Sequence, residues 1–268
     1  MLDALNDWFH HFVDQRIYPV TDVNQTGVQT YNIAGHECIL KVRDDALCWI
    51  IYVHGNAVTL DTLNRARIVD NFVLKSQCNV IAPAYPAKTQ TGQKYDNLVA
   101  GCVASVYNKI MEDSNHVGDT NVPIFFVGRS LGVAIALKAC ERVKAPPKGI
   151  VCISGFDCIQ ARIPKRYSAL SCFVGDRFNN IQSIASDKLE HVNKLIIHGT
   201  NDLLIPLSCA RDLKNAAGKA ELEVITGMEH DIRPSEWESI YSIIHKFTQP
   251  PEQRNILCPE YKLWHTST

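Results

Sequence analysis

Apolar bursts alternate with amphipathic stretches along most of this 268-residue chain. Val28–Ile33 and Glu37–Val42 alternate in the period-2 manner of strands, and Ala34-Gly35 between them predicts a hairpin. Leu47-Cys48-Trp49-Ile50-Ile51-Tyr52-Val53 is apolar throughout, as a strand covered on both faces would be. Leu60, Leu63, Ala66, Val69 and Val73 then fall at helical spacing. Cys78–Ala82 reads as a short strand stopped by Pro83. After a polar loop, Lys88–Asp96, a helix is marked by Leu98, Cys102, Val103, Val106 and Ile110. Ile124-Phe125-Phe126-Val127 predicts another buried strand, and the small-residue run to Ala139 a helix ended by Pro146-Pro147. Further on, Gly149–Ser154, Lys194–His198 and Glu221–Ile225 read as strands, with helices over Pro206–Ala216 and Ser235–Phe247.

Strands and helices in this rhythm mean βαβ units. They predict an α/β fold with a mostly parallel central sheet, helices on both faces and an antiparallel N-terminal edge. In such sheets, function gathers in the loops at the carboxyl ends of the strands. Residues 19–250 are expected to form one domain. Gly155–Glu190 is an irregular excursion over the sheet, with an apolar patch at Leu170–Val174 and a short helix near its end. Residues 1–18 hold an amphipathic helix (Leu2, Leu5, Phe9, Phe12, Ile17), and 251–268 a surface tail. The leading helix is expected to dock on the domain, with peripheral membrane contact as its alternative.

Bulk composition narrows the function classes. Apolar residues make up 46% of the chain and charged residues 21%, enough for a sizeable core. A formal net charge of −1 argues against a nucleic-acid partner, which would need a basic excess. None of the ten cysteines forms a C-x-x-C pair, and most fall inside predicted strands and helices. A disulfide framework or zinc site is therefore not expected, and a reducing, cytoplasmic compartment is. No run approaches a membrane span, and the first residues lack the basic region of a secretory signal.

Candidate chemistry centres on Gly128-Arg129-Ser130-Leu131-Gly132, a G-x-S-x-G between a strand and a helix. In that context the pattern is a nucleophile elbow: a sharp turn exposes the serine hydroxyl, and flanking glycines let neighbouring backbones approach. Ser130 needs a base. His230, in the loop after the last predicted strand, is the candidate; His54 and His198 precede glycines at strand ends and read as turn residues. The imidazole needs a carboxylate, and Asp202 in His198-Gly199-Thr200-Asn201-Asp202 supplies one in the order Ser, Asp, His. Asp157 is a second candidate, while Asp231 would need a chain reversal. The oxyanion needs preorganised N–H donors: Leu131 gives one, and His54-Gly55-Asn56-Ala57 the other, with Asn56 chosen and Ala57 as its substitute. Arg129 and Tyr85 are candidate substrate contacts. No metal or organic cofactor is expected.

These motifs, taken in order over about Tyr31–Phe247, resemble the α/β-hydrolase superfamily. Within it the chain is most similar to small serine hydrolases without a large cap, a group that includes acyl-protein thioesterases (depalmitoylases). Tyr52-Val53-His54-Gly55-Asn56-Ala57-Val58, Cys78-Asn79-Val80-Ile81, the elbow, Leu195–Asp202 and Gly227-Met228-Glu229-His230-Asp231 carry the likeness. Ala84-Tyr85-Pro86-Ala87-Lys88 departs from that group's Asp-Tyr-x-Gly-Tyr-Gly, and the cysteine-rich N-terminus of the animal depalmitoylases is missing. The resemblance implies ester or thioester hydrolysis, on a small-molecule or acylated-protein substrate. A peptidase or amidase, or a silent binding protein on the same fold, are the alternatives.

Overall fold

The computed structural model describes residues 28–87, 92–116, 122–159 and 177–250. The expected leading helix, the tail, the Leu170–Val174 patch and the end of the loop after Tyr85 lie outside the described residues. Eight strands form one sheet: β1 (Tyr31–Ile33), β2 (His36–Lys41), β3 (Cys48–Val53), β4 (Cys78–Pro83), β5 (Ile124–Arg129), β6 (Gly149–Ile153), β7 (Asn193–Gly199) and β8 (Glu221–Ile225). Their spatial order is β1-β2-β4-β3-β5-β6-β7-β8. The pairings β1–β2 and β2–β4 are antiparallel and all the others parallel, which is the antiparallel N-terminal edge the pattern predicts.

The period-2 alternation of the strands splits the core in two. Ile51, Val53, Ile81, Phe126, Ile150, Cys152 and Ile196 face one side. There they pack with α3 (Gly92–His116), α4 (Leu131–Cys140), α5 (Asn180–Ile184) and α6 (Leu207–Ala216). Ile50, Tyr52, Val80, Val127, Val151 and Ile197 face the other, under α1 (Leu60–Arg65), α2 (Ile68–Ser76) and α7 (Pro234–Thr248). Helices therefore cover both faces. Every strand from β3 to β7 is buried along nearly its whole length, which is why those stretches read as continuous apolar runs.

Four sequence expectations shift. The helical pattern from Leu60 to Val73 is two helices, because the chain turns at Ala66 and Arg67 takes a left-handed φ of 53°. The loop expected over Lys88–Asp96 gives way to helix at Gly92. The elbow helix stops at Cys140, before Pro146-Pro147. The N–H groups of Glu141 and Arg142 fold back onto Ala139 O, and the Arg142 guanidinium takes the Lys138 carbonyl, so last-turn acceptors are satisfied there. Finally, Cys48 and Cys78 are disulfide-bonded. Thirty residues apart in sequence, they are direct register partners on β3 and β4 with Cα atoms 4.8 Å apart, a proximity that spacing alone does not disclose.

Candidate active site

The register aligns the carboxyl ends that carry the chemistry. Val53 pairs with Gly128, Gly128 with Cys152, Ile153 with Ile197, and Gly199 with Ile225. The loops after β3, β5, β7 and β8 thus open on one edge of the sheet. After β3 the strand order reverses direction, with β4 on one side and β5 on the other. That is the switch point at which an α/β sheet leaves a crevice.

At that switch point Ser130 sits between β5 and α4 with φ 53° and ψ −118°, a conformation costly for a residue with a Cβ. Two close approaches hold the turn. A Cβ on Gly128 would lie 2.6 Å from Gly132 O, and one on Gly132 only 1.9 Å from Val53 O. The elbow is therefore locked against the end of β3 and the start of the His54–Ala57 loop. The Ser130 N–H is spent on Ile153 O at 2.8 Å, while the Leu131 N–H lies in the first turn of α4, where helices have no internal acceptor. Gly55 is buried against Ser130: a Cβ built on it would meet Ser130 Cβ at 3.5 Å. Asn56 and Ala57 follow, both exposed, and Ala57 has a left-handed φ of 56°.

Ser130 Oγ lies 3.1 Å from His230 Nε2, and His230 Nδ1 lies 2.8 Å from Asp202 Oδ2. The other oxygen of that carboxylate, Oδ1, accepts the N–H groups of Leu204 (3.0 Å) and Ile205 (2.7 Å). Asp202 is 4% exposed. Burial by itself pushes its carboxyl up, but the bonds from His230 and Ile205, with the neighbouring His230 and His198 rings, outweigh it, so the net shift is downward. The acid is thus held ionised. In the tautomer that donates Nδ1–H to Asp202, a neutral His230 ring turns its Nε2 lone pair to the serine hydroxyl. Among the described residues, no group of three or more His, Cys, Asp or Glu side chains could hold a metal ion.

The other candidates are placed differently. Asp157 Oδ1 accepts the N–H of Cys158, the next residue, and Asp231 is fully exposed, 3.7 Å from Arg129. Tyr85 and Arg129, expected to touch substrate, are both engaged with the protein itself. The Tyr85 ring stacks on His54 at 3.9 Å and its hydroxyl donates to His54 O, bracing the oxyanion loop from behind. Arg129 Nη2 donates to His230 O at 2.7 Å. Burial pushes the His54 imidazole down to about 4, with the Gly55 carbonyl opposing, so it stays neutral beside the site.

His198, expected as a turn residue, has that role. It is fully buried, its Nε2–H donates to Ile205 O at 2.8 Å, and it lies 3.6 Å from Asp202 Oδ2. Burial lowers its pKa, so a neutral ring shapes the acid's turn. The loop also depends on Gly199, where a Cβ would stand 1.9 Å from Met228 O, so only glycine lets the loops that carry Asp202 and His230 lie together.

No family model and no curated protein sequence matches this chain. Solved structures do. A hormone-sensitive lipase from a metagenome library superposes with a TM-score of 0.62 at 17% identity, covering 91% of this chain and 92% of that one. A soluble variant of monoglyceride lipase from Saccharomyces cerevisiae, in complex with a substrate analogue, gives 0.60 at 14% identity, covering 87% and 98%. An alpha/beta hydrolase enzyme from the metagenome of sediments of the Mar Chica lagoon, Morocco, gives 0.58 at 20% identity, covering 85% and 100%. At these identities the likeness is one of architecture, and the architecture is the α/β-hydrolase fold.

Proposed function

We propose that the protein is a serine hydrolase of carboxylic ester or thioester bonds, working through an acyl-enzyme. The observation that carries this is His230 bridging Ser130 and Asp202 at 3.1 and 2.8 Å. In the first half-reaction His230 Nε2 takes the Ser130 proton as Oγ attacks the carbonyl carbon, and the carbonyl π electrons move onto oxygen. The N–H groups of Leu131 and Asn56 receive that oxyanion. As the tetrahedral intermediate collapses, the imidazolium gives its proton to the departing alkoxide or thiolate. Water then repeats the sequence on the acyl-serine, and a carboxylic acid leaves. Asp202 holds the ring in the required tautomer and stabilises the imidazolium. Lipase and esterase-type neighbours on the same fold support ester chemistry over the alternatives. The narrower reading, a thioesterase acting on acylated proteins, rests on the sequence resemblance alone.

Turnover of a short-chain p-nitrophenyl ester by the wild type and its loss in Ser130→Ala tests the hydrolase reading; equal rates overturn it. A panel of matched esters, thioesters and aminoacyl amides separates it from a peptidase. The same proposal takes residues 19–250 as one domain on which the helix of residues 1–18 docks, with peripheral membrane contact through that helix as the alternative; liposome co-sedimentation with and without that segment separates the two. Among the described residues no helix is long and apolar enough to cross a membrane. We propose a cytoplasmic location from cysteine usage: six described cysteines form no disulfide, and five of those are buried. The Cys48–Cys78 bridge opposes that location, and thiol counting on protein alkylated at lysis decides between them.

A further inference from the structure

His230 comes from the far edge of the sheet. Its loop follows β8, three strands from β5 and its nucleophile, a lateral gap of about 14 Å at ordinary strand spacing. The loop must therefore return across the ends of β6 and β7, and β8 itself is largely exposed. The first part of this return is tied down over β7. Thr200 Oγ1 accepts the Gly227 N–H at 2.8 Å, the Asn201 N–H donates to Met228 O at 3.1 Å, and Met228 is fully buried. Beyond Met228 the chain turns outward, with Glu229 and Asp231 exposed on either side of the base.

At that point the main chain of His230 is held from the opposite side. Arg129, one residue before the nucleophile, reaches back so that Nη2 donates to His230 O at 2.7 Å. Its side chain is only 16% exposed. Nη1 lies beside Gly55, 3.6 Å from where a Cβ there would stand, so the guanidinium is wedged between the oxyanion loop and the base loop. The Asp231 carboxylate, 3.7 Å away and wholly in solvent, adds little.

We propose that Arg129 is a positioning residue, whose guanidinium sets the distance between the elbow and the main chain of His230 and so keeps the imidazole aligned on Ser130 through both proton transfers. The inference rests on the hydrolase reading above, and it replaces a substrate-contact role for Arg129. A charged donor on a carbonyl makes a stronger bond than a neutral one. A planar fork anchored at the elbow has a fixed reach, whereas a lysine ammonium on a flexible stem does not. The strut acts on the base and not on bound substrate, so its loss belongs in kcat.

The test compares wild type with Arg129→Met, Arg129→Lys and Arg129→Ala. Each is assayed on p-nitrophenyl acetate and on a p-nitrophenyl ester with a free carboxylate in its acyl chain. Misplacing the base by about 1 Å predicts that kcat falls roughly tenfold to a hundredfold on both esters with KM unchanged. Arg129→Lys is expected to fall less than Arg129→Met, and millimolar guanidinium should restore part of the Arg129→Ala rate. Faster amide hydrogen exchange over residues 226–231 in the folded variants, with no catalysis involved, is expected as well. A loss confined to KM for the carboxylate-bearing ester overturns the inference in favour of substrate binding. Undiminished kcat and unchanged exchange in a folded Arg129→Met or Arg129→Lys protein overturn it outright. A wild type that neither turns over ester nor reacts with a fluorophosphonate overturns the hydrolase reading itself, a distinguishable failure.

Discussion

Replacing Gly132 by alanine probes how tightly the elbow and the oxyanion loop are fitted. The added Cβ would stand 1.9 Å from Val53 O and 2.6 Å from His54 O, both main-chain atoms that no rotamer change can move. Relaxing the nearer contact to an ordinary C···O distance of about 3.3 Å means parting α4 from the end of β3 by roughly 1.4 Å. Both elements lie in the closed core, so the cost falls at the upper end of overpacking penalties, about 3 kcal/mol. For a domain of this size that lowers Tm by about 6–12 °C. The same displacement moves the Asn56 N–H away from Leu131, so turnover in the folded fraction should drop by about a hundredfold. Gly101 gives the control. It lies within α3, a Cβ there meets nothing within 4 Å, and Gly101→Ala should raise stability by about 1 kcal/mol with activity intact. Thermal melts and p-nitrophenyl acetate turnover, read together, decide the matter. A Gly132→Ala protein with wild-type Tm and wild-type kcat would refute the argument from close approach.

Other outcomes follow from the same geometry. Asp202→Asn keeps the shape of the turn but removes the charge that fixes the His230 tautomer, and kcat should fall by about 10³- to 10⁴-fold with little change in KM. His54 should make the fold acid-sensitive. The unfolded chain takes up its proton near 6.5 while the folded protein refuses it until about 4, so stability falls as pH drops across that interval, by an order of about 3 kcal/mol. In urea titrations at pH 7 and pH 4.5, His54→Gln should narrow the difference between the two midpoints, and an unchanged difference would remove His54 as its source. The Cys48–Cys78 bridge closes a 30-residue separation, and its loss through Cys48→Ser should cost about 3–4 kcal/mol. Dithiothreitol should reproduce that fall in the wild type, and a wild-type Tm indifferent to reductant would count against the bridge.

What the sequence made legible was local. The strand before Ser130, the small-residue helix after it and the two glycines two positions away are all neighbours in the chain, so the elbow could be read directly. Asp202 and His230 are candidates because each closely follows a strand, Asp202 after the apolar β7 and His230 after the alternating, largely exposed β8. What escaped depends on pairing across the sheet. Cys48 meets Cys78 only through the β3–β4 register. Arg129 meets the His230 carbonyl only because the β8 loop returns over the sheet, and at the sequence level an arginine beside a nucleophile looks like a substrate contact. Tyr85, read as a pocket residue, has its hydroxyl on His54 O of the neighbouring loop, a contact its own sequence surroundings do not disclose. The break between α1 and α2 escaped differently: the apolar spacing runs through Ala66, and nothing in the residue type of Arg67 announces a left-handed φ.

The central claim is that Ser130 is the nucleophile and that His230 and Asp202 activate it. The most direct measurement is to treat the folded protein with a fluorophosphonate and locate the adduct by peptide mass. The account predicts a single stoichiometric adduct on Ser130, slowed sharply in His230→Ala and absent in Ser130→Ala. Labelling that persists in Ser130→Ala, or no adduct on Ser130 in well-folded wild type, would contradict it.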